Sequence, residues 1–319
     1  MRKNVRLVTC KTTLSRFINT FSEHIELEDI NTLTDNSYSH NSLLAMRKDW
    51  NLFVEFCLNK NVKPIPASVT AVRLFLEKES RERKYATLKR YNVTISLIHK
   101  ILQLSDPTSS VSIQNLLAQL RIEKSGDAQS TPAFNKKHLD ELTLLKNSSK
   151  NTKDIRDLAI YHLMFECMLK RSELKRLIID DLSGNTSDAY SVNIGGESYR
   201  LSASASNYLK RWLDTRLSDH QVLFSAIDKH GNISSNPLDD SSIYRILRAA
   251  SEALGTDIQF SGHSLRVGAV NELAEQGLKV KEIQHFGRWK SAAMPYQYIG
   301  NRSKAALERM VFKSFKPWV

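Results

Sequence analysis

The chain has 319 residues, of which 41% are hydrophobic, with 11 Gly and 7 Pro, so a folded, helix-rich protein with room for two domains is expected. A net charge of +12 favours a polyanionic partner. The excess is spread, with 19 basic against 12 acidic residues up to Lys124 and 27 against 22 beyond it, which excludes a single basic tail as its source. Cys10, Cys57 and Cys167 lie far apart, so no disulfide framework or zinc site is implied, and no metal or other cofactor is expected. No apolar run approaches a membrane span and no signal-peptide core follows Met1-Arg2-Lys3, so a soluble protein of a reducing cytoplasm is expected, with no membrane partner.

Residues 1–38 are polar and weakly periodic, and predict a flexible arm. From Ser39 the pattern turns helical. Leu43, Met46, Trp50, Phe53 and Cys57 recur at helical spacing until Pro64 and Pro66 end the run. A short helix carries Val69, Val72 and Leu76. A longer one, about Tyr85–Gln103, turns Leu88, Tyr91, Ile95, Ile98 and Leu102 inward, and a fourth carries Ile113, Leu116, Leu117 and Leu120. Four helices with short connections predict a bundle over residues 39–124. Arg81, Arg83, Lys84, Thr87, Lys89 and Arg90 crowd the outward side near the start of the third helix, and Arg47 and Lys48 flank the first. Such a face is either simply solvated or placed to neutralise phosphates with a helix in a major groove.

The stretch KSGDAQSTP, Lys124 to Pro132, is rich in turn formers and predicts a linker over 125–132, with a second domain at 133–319. That domain is expected to open with helices near Lys136–Leu145 and Lys153–Leu169. Two short strands, Ala189–Ile194 and Ser198–Ser202, would hinge at Gly195-Gly196. Helices then follow at Ser204–Arg216, Ser241–Leu254, Ser264–Gln276, Val280–Phe286 and Ala292–Ile299. A last segment, Lys304–Phe315, carries a stripe of Leu307, Met310, Val311 and Phe315 that suits docking on its own domain or on a second copy.

Two motifs near the end carry chemistry. His263 and Arg266 stand three residues apart at the start of an amphipathic run, so imidazole and guanidinium share a helix face. Downstream, EIQHFGRWKSAAMPYQYI places a Gly-Arg-Trp turn nine residues before Tyr298. His263-x-x-Arg266, Trp289 and Tyr298 in this order resemble the C-terminal signature of the tyrosine recombinases, the phage integrase family, with Trp in place of the commoner His. The looser resemblance reaches back to about Asn41.

The resemblance implies a mainly α fold: an N-terminal helical bundle plus a catalytic domain of helices with a small antiparallel sheet. It implies double-stranded DNA with a specific target site as partner, a homotetramer on two such sites, and work on nucleoid, phage, plasmid or integrative-element DNA. Tyr298 would be the nucleophile, Tyr296 a decoy two residues away. Arg266 would fork onto the phosphate oxygens, His263 would bond the phosphate or manage the tyrosine proton, and Trp289 would donate its indole N–H. The family has a Leu-Arg-x-x-Glu-Leu pattern after the long helix. Here it reads Leu169-Lys170-Arg171-Ser172-Glu173-Leu174, so Lys170 stands in the Arg place with Arg171 beside it, and the sequence leaves open which one serves. Glu173 matches the family's acidic residue. Ser198 stands where the family has a hairpin Lys as general acid, and Arg200, the nearest base, is a poor proton donor. Ser241, Ser242, Tyr244 and Arg245 sit where a second DNA-reading helix begins. Two other readings stay open: a catalytically impaired DNA-binding relative, and relaxation of DNA in the manner of a type IB topoisomerase.

Overall fold

Phe17, Phe21, Ile25, Ile30 and Leu33 are all buried, and this apolar set turns the expected flexible arm of residues 1–38 into structure. In the computed structural model, which describes residues 5–127, 130–184, 189–216 and 219–314, α1 (Lys11–Phe21) and α2 (Leu27–Leu33) pack into the first of two compact units, Met1–Gln129. Hydrogen bonds tie them down. Trp50 Nε1 donates to Phe21 O at 3.1 Å, and Asn51 both accepts from Ile25 N at 2.9 Å and donates to Ile25 O at 3.0 Å. Polar neighbours lower the mean hydropathy although α1 is amphipathic, so the buried face rather than mean composition decides the outcome.

The remaining helices of this unit are α3 (His40–Asn59), α4 (Val69–Ser80), α5 (Tyr85–Ile101) and α6 (Val111–Glu123). Their apolar faces meet in a core whose centre is aromatic: Trp50, Phe53, Phe75 and Tyr91 lie ring to ring at 5.2–5.7 Å. Fully burying such a side chain stabilises the fold by about 1.5–3 kcal/mol. Of the two buried carboxylates there, Asp49 and Glu79, Asp49 lies deeper. The Asp49 carboxylate takes a two-pronged bond from Arg90, at 2.9 and 2.8 Å, and a third from Thr94 Oγ1 at 3.2 Å. Within the expected linker, Asp127 accepts from Tyr85 N at 2.7 Å and so stays with the first unit, whereas Phe134 is buried in the core of the second; residues 128 and 129 lie outside the described part.

The second unit, Ser130–Val319, is built on one helix. After α7 (Lys136–Lys146) comes α8 (Thr152–Glu166), which is buried at every position from Arg156 to Phe165. Its main polar groups are partnered inward: Arg156 with Asp157 and Ser225 O, Tyr161 Oη with Ile246 O, His162 Nε2 with Thr143 while its ring stacks on Tyr208. The helix ends at Glu166, three residues earlier than the pattern suggests, because Cys167 caps it and Met168 adopts a left-handed φ of +48°. A short helix, α9 (Arg171–Leu174), starts afresh beyond it, with Lys170 as its N-cap.

Strands β1 (Leu182–Ser183), β2 (Ser191–Ile194) and β3 (Glu197–Arg200) form an antiparallel sheet in that order, with Ile194 opposite Glu197 across the Gly195-Gly196 turn. Both glycines have positive φ, the geometry that a two-residue hairpin turn demands. This hairpin is shorter than expected. Helix α10 (Ala203–Thr215) follows and packs on α8. A second hairpin, β4 (Ser225–Ile227) with β5 (Ile233–Pro237), carries too little apolar alternation to be read from sequence. The chain closes with α11 (Asp240–Ala253), α12 (Gly262–Glu275), α13 (Val280–Phe286), α14 (Ala293–Tyr298) and α15 (Arg302–Ser314). On α15, which packs on α14, Ala305 is buried while Leu307 and Val311 are 57 and 45% exposed; Phe315 lies outside the described residues. The whole is mainly α with small antiparallel sheets, as the resemblance implied.

Candidate active site

The end of α8, the start of α12 and the turn between α13 and α14 converge, and the converging side chains are cations. Arg266, on the first turns of α12, is 2% exposed. Its Nη1 donates to Met168 O, and its Nη2 to Gly287 O at 2.7 Å. Two of its five N–H groups are thus held by backbone carbonyls, which orients the rest of the fork. Burial, then the charge of Arg288, pulls its pKa down to about 10, so it stays charged at neutral pH.

Trp289 packs against this guanidinium, whose Cζ lies 4.3 Å from the ring centroid. The indole lies across Gly287: a Cβ there would sit 1.8 Å from Trp289 Cζ3, so no other residue leaves the ring in place. Tyr298, the last residue of α14, meets Trp289 edge to face, centroids 5.9 Å apart at 67°. Burial raises the phenol pKa above its ordinary value, against the pull of Arg266, so the hydroxyl is protonated at neutral pH. Tyr296 lies elsewhere in its contacts, with Lys304 Nζ 5.7 Å from its ring.

His263 is exposed at the N-terminal turn of α12. Partial desolvation, then the charges of Arg266 and Arg171, lower its pKa, which keeps the imidazole neutral at pH 7. Arg171 comes near because its stem crosses Gly262, where a Cβ would lie 2.7 Å from Arg171 Cγ. Lys170 is bound to Glu173 instead. Its Nζ binds Glu173 Oε1 at 2.7 Å and its backbone N–H binds Glu173 Oε2 at 2.9 Å. The two residues that the sequence could not rank therefore do different things: Lys170 serves Glu173, and Arg171 reaches toward His263.

One residue in this cluster was missed. Arg288, between Gly287 and Trp289, donates from Nη2 to Glu173 Oε2 at 3.0 Å, Met168 O at 3.0 Å and Cys167 O at 3.1 Å, and from Nη1 to Phe286 O at 3.2 Å. Its Cζ lies 4.9 Å from the ring of Tyr199, whose hydroxyl donates to Phe286 O and pins the β2–β3 hairpin to α13. Arg288 has a φ of +57°, a conformation that costs an L-residue about 1–2 kcal/mol. The available signal was a basic residue inside a tight Gly-x-Trp turn. Burial pushes the Glu173 pKa up, but bonds from Arg288 and Lys170 bring it down to about 2.

The expected DNA-facing residues fall in both units. Lys48, Arg81, Lys84 and Lys89 are exposed, and Thr87 is half-buried. Arg47 pairs with Glu26 at 2.8 Å, and Arg90 is engaged by Asp49, so neither is a free cation. Ser241, Tyr244 and Arg245 are exposed on the first turns of α11, with Arg245 Nη2 on Ser242 Oγ at 2.9 Å. Arg200 and Ser198 are exposed on β3, outside the cation cluster's hydrogen bonds.

Among solved structures, the XerH site-specific recombinase bound to palindromic difH substrate superposes with a TM-score of 0.64 at 14% identity, covering 97% of this chain and 90% of that one. The Tn1549 transposon integrase, in complex with a circular intermediate DNA, gives 0.62 at 14% identity, covering 92 and 99%. The fold is thus shared with both. In sequence the chain is 24% identical over 286 residues to the recombinase Cre of Escherichia phage P1, covering 81% of this chain and 82% of that protein. It is 26% identical over 300 residues to the integrase/recombinase XerD homolog of Selenomonas ruminantium, covering 88% of each. The model of the phage integrase family matches residues 137–304, more than half of the chain, and the protein belongs to that family, as a tyrosine site-specific recombinase. Among the described residues, no helix is long and apolar enough to cross a membrane.

Proposed function

We propose that this protein cleaves and rejoins duplex DNA at a specific target through a phosphotyrosine on Tyr298. The observation that carries the reading is the packed series Arg266–Trp289–Tyr298, which sets a protonated phenol beside a fixed, charged guanidinium. The phenol oxygen attacks phosphorus and the bond to the 5′-oxygen breaks, leaving a 3′-phosphotyrosine and a 5′-hydroxyl. The proton that the 5′-oxygen takes up balances the one Tyr298 gives up. A 5′-hydroxyl from another strand then reverses the step, so no nucleotide cofactor is consumed. The proton of Tyr298 has to leave during attack, and the neutral imidazole of His263 suits its acceptance. Arg266 and Arg171 stabilise the charge on the non-bridging oxygens.

Double-stranded DNA with a defined site is the partner on this reading, gripped by the exposed cations of α5 and the start of α11. Relatives described as bound to DNA, XerH among them, support it. Four copies on two sites would exchange strands in pairs through a Holliday junction, and the exposed stripe of α15 is the surface offered to a neighbouring copy.

The test is a nicked duplex carrying the target. Wild type should accumulate a denaturation-resistant protein–DNA adduct, and Tyr298→Phe should bind the duplex equally but form none. An adduct in that variant would remove Tyr298. Gel retardation by wild type without any adduct would favour a catalytically impaired binder.

A further inference from the structure

We infer that Arg288 is a positioning residue that replaces the guanidinium missing at Lys170, so that the first cation of the site is split between two side chains. The inference rests on the phosphoryl-transfer reading above. Lys170 keeps the charge and the sequence position but offers Glu173 a single ammonium, at 2.7 Å. The planar fork arrives from a turn more than a hundred residues away: Arg288 bonds both oxygens of Glu173, Oε2 from Nη2 at 3.0 Å and Oε1 from Nε at 3.4 Å, and the carbonyls of Cys167 and Met168 at the end of α8.

Three features separate this from an ordinary ion pair. Arg288 and Arg266 share one acceptor, Met168 O, so their guanidinium groups lie side by side and the placement of one fixes the other. Both residues that deliver the arrangement, Met168 and Arg288, hold left-handed backbone conformations unusual for non-glycine residues, and such strain persists where the surroundings enforce it. The hairpin turn also closes over the stem, since a Cβ at Gly195 would lie 3.9 Å from Arg288 Cδ. With its N–H groups turned to carbonyls and carboxylate, Arg288 acts through Arg266 and Glu173 and does not touch the phosphate.

The experiment compares wild type, Arg288→Gly, and Arg288→Gly with Lys170→Arg in single-turnover cleavage of the nicked duplex, alongside DNA binding and thermal melting. Glycine is at ease at φ +57°, so the variant removes the side chain without straining the turn. Arg288→Gly is expected to cut about a hundredfold more slowly with binding retained, and Lys170→Arg in that background to recover at least about tenfold, because the fork is restored from the other side. Cleavage by Arg288→Gly within about threefold of wild type, or no recovery in the double variant, would overturn the inference. Should Arg288→Gly not fold, Arg288→Gln takes its place with the same two outcomes. A wild type that forms no adduct would instead sink the proposed function and, with it, any part for Arg288.

Discussion

Asp49 and Glu173 are both carboxylates gripped by an arginine from a distant part of the chain, yet their surroundings push them in opposite directions. Asp49, its side chain 1% exposed, has a pKa raised by burial despite the two-pronged bond from Arg90. Glu173, 20% exposed, is also penalised by burial, but Arg288, the Lys170 ammonium and a backbone N–H together bring it down to about 2. The pair in the first unit fixes a helix bundle around a costly buried charge. The cluster in the second unit carries more positive than negative charge, which suits a site that receives an anion. Deeper burial at Asp49, and a hydrogen-bonded second cation with a backbone donor at Glu173, make the difference.

Removing the charge of Glu173 should have the larger effect. Glu173→Gln leaves Lys170 and Arg288 without a counter-charge beside Arg266, and single-turnover cleavage is expected to fall about a hundredfold while DNA is still bound. A rate within about threefold of wild type would make the cluster no more functional than the Asp49 pair.

Arg90→Ala, the matching break in the first unit, strands a buried carboxylate. It should cost about 2–3 kcal/mol in urea unfolding, and a loss below about 0.5 kcal/mol would show that water reaches Asp49 after all.

The smallest effect is a pair of opposite slopes with pH. Glu173 is held below its ordinary pKa of 4.5, so it contributes stability above that value and loses it as pH falls toward about 2. The stability gap between wild type and Glu173→Gln should therefore narrow over that window. Asp49 is held above its ordinary value, so the reference of wild type against Asp49→Asn should shift in favour of wild type on acidification. Parallel slopes would mean that the two carboxylates share one kind of environment.

Much of this was legible in the sequence. Helices rich in apolar core positions, α3 and α5 among them, were marked by Trp50, Phe53, Leu88 and Ile95 at the right spacing. His263, Arg266, Trp289 and Tyr298 were legible because their separations are fixed by local geometry: one helix face, one turn, one short helix. The first helices, α1 and α2, were hidden because Phe17, Phe21 and Ile30 are outnumbered by polar neighbours. Arg288 was hidden for a different reason. Its partner lies 115 positions upstream, and no local rule says that the α8–α9 corner and the α13–α14 turn meet. The different contacts of Lys170 and Arg171 were likewise hidden, because the Arg171 stem meets Gly262 only once α12 is in place.

Trp289 links Arg266 to Tyr298 by direct ring contacts within one chain and one unit. On the proposed reading, each copy is then a self-sufficient cutter that carries its own blade and its own grip. Two crippled copies could not lend each other spare parts, and the tally of strands cut in any mixed assembly would follow the number of intact members.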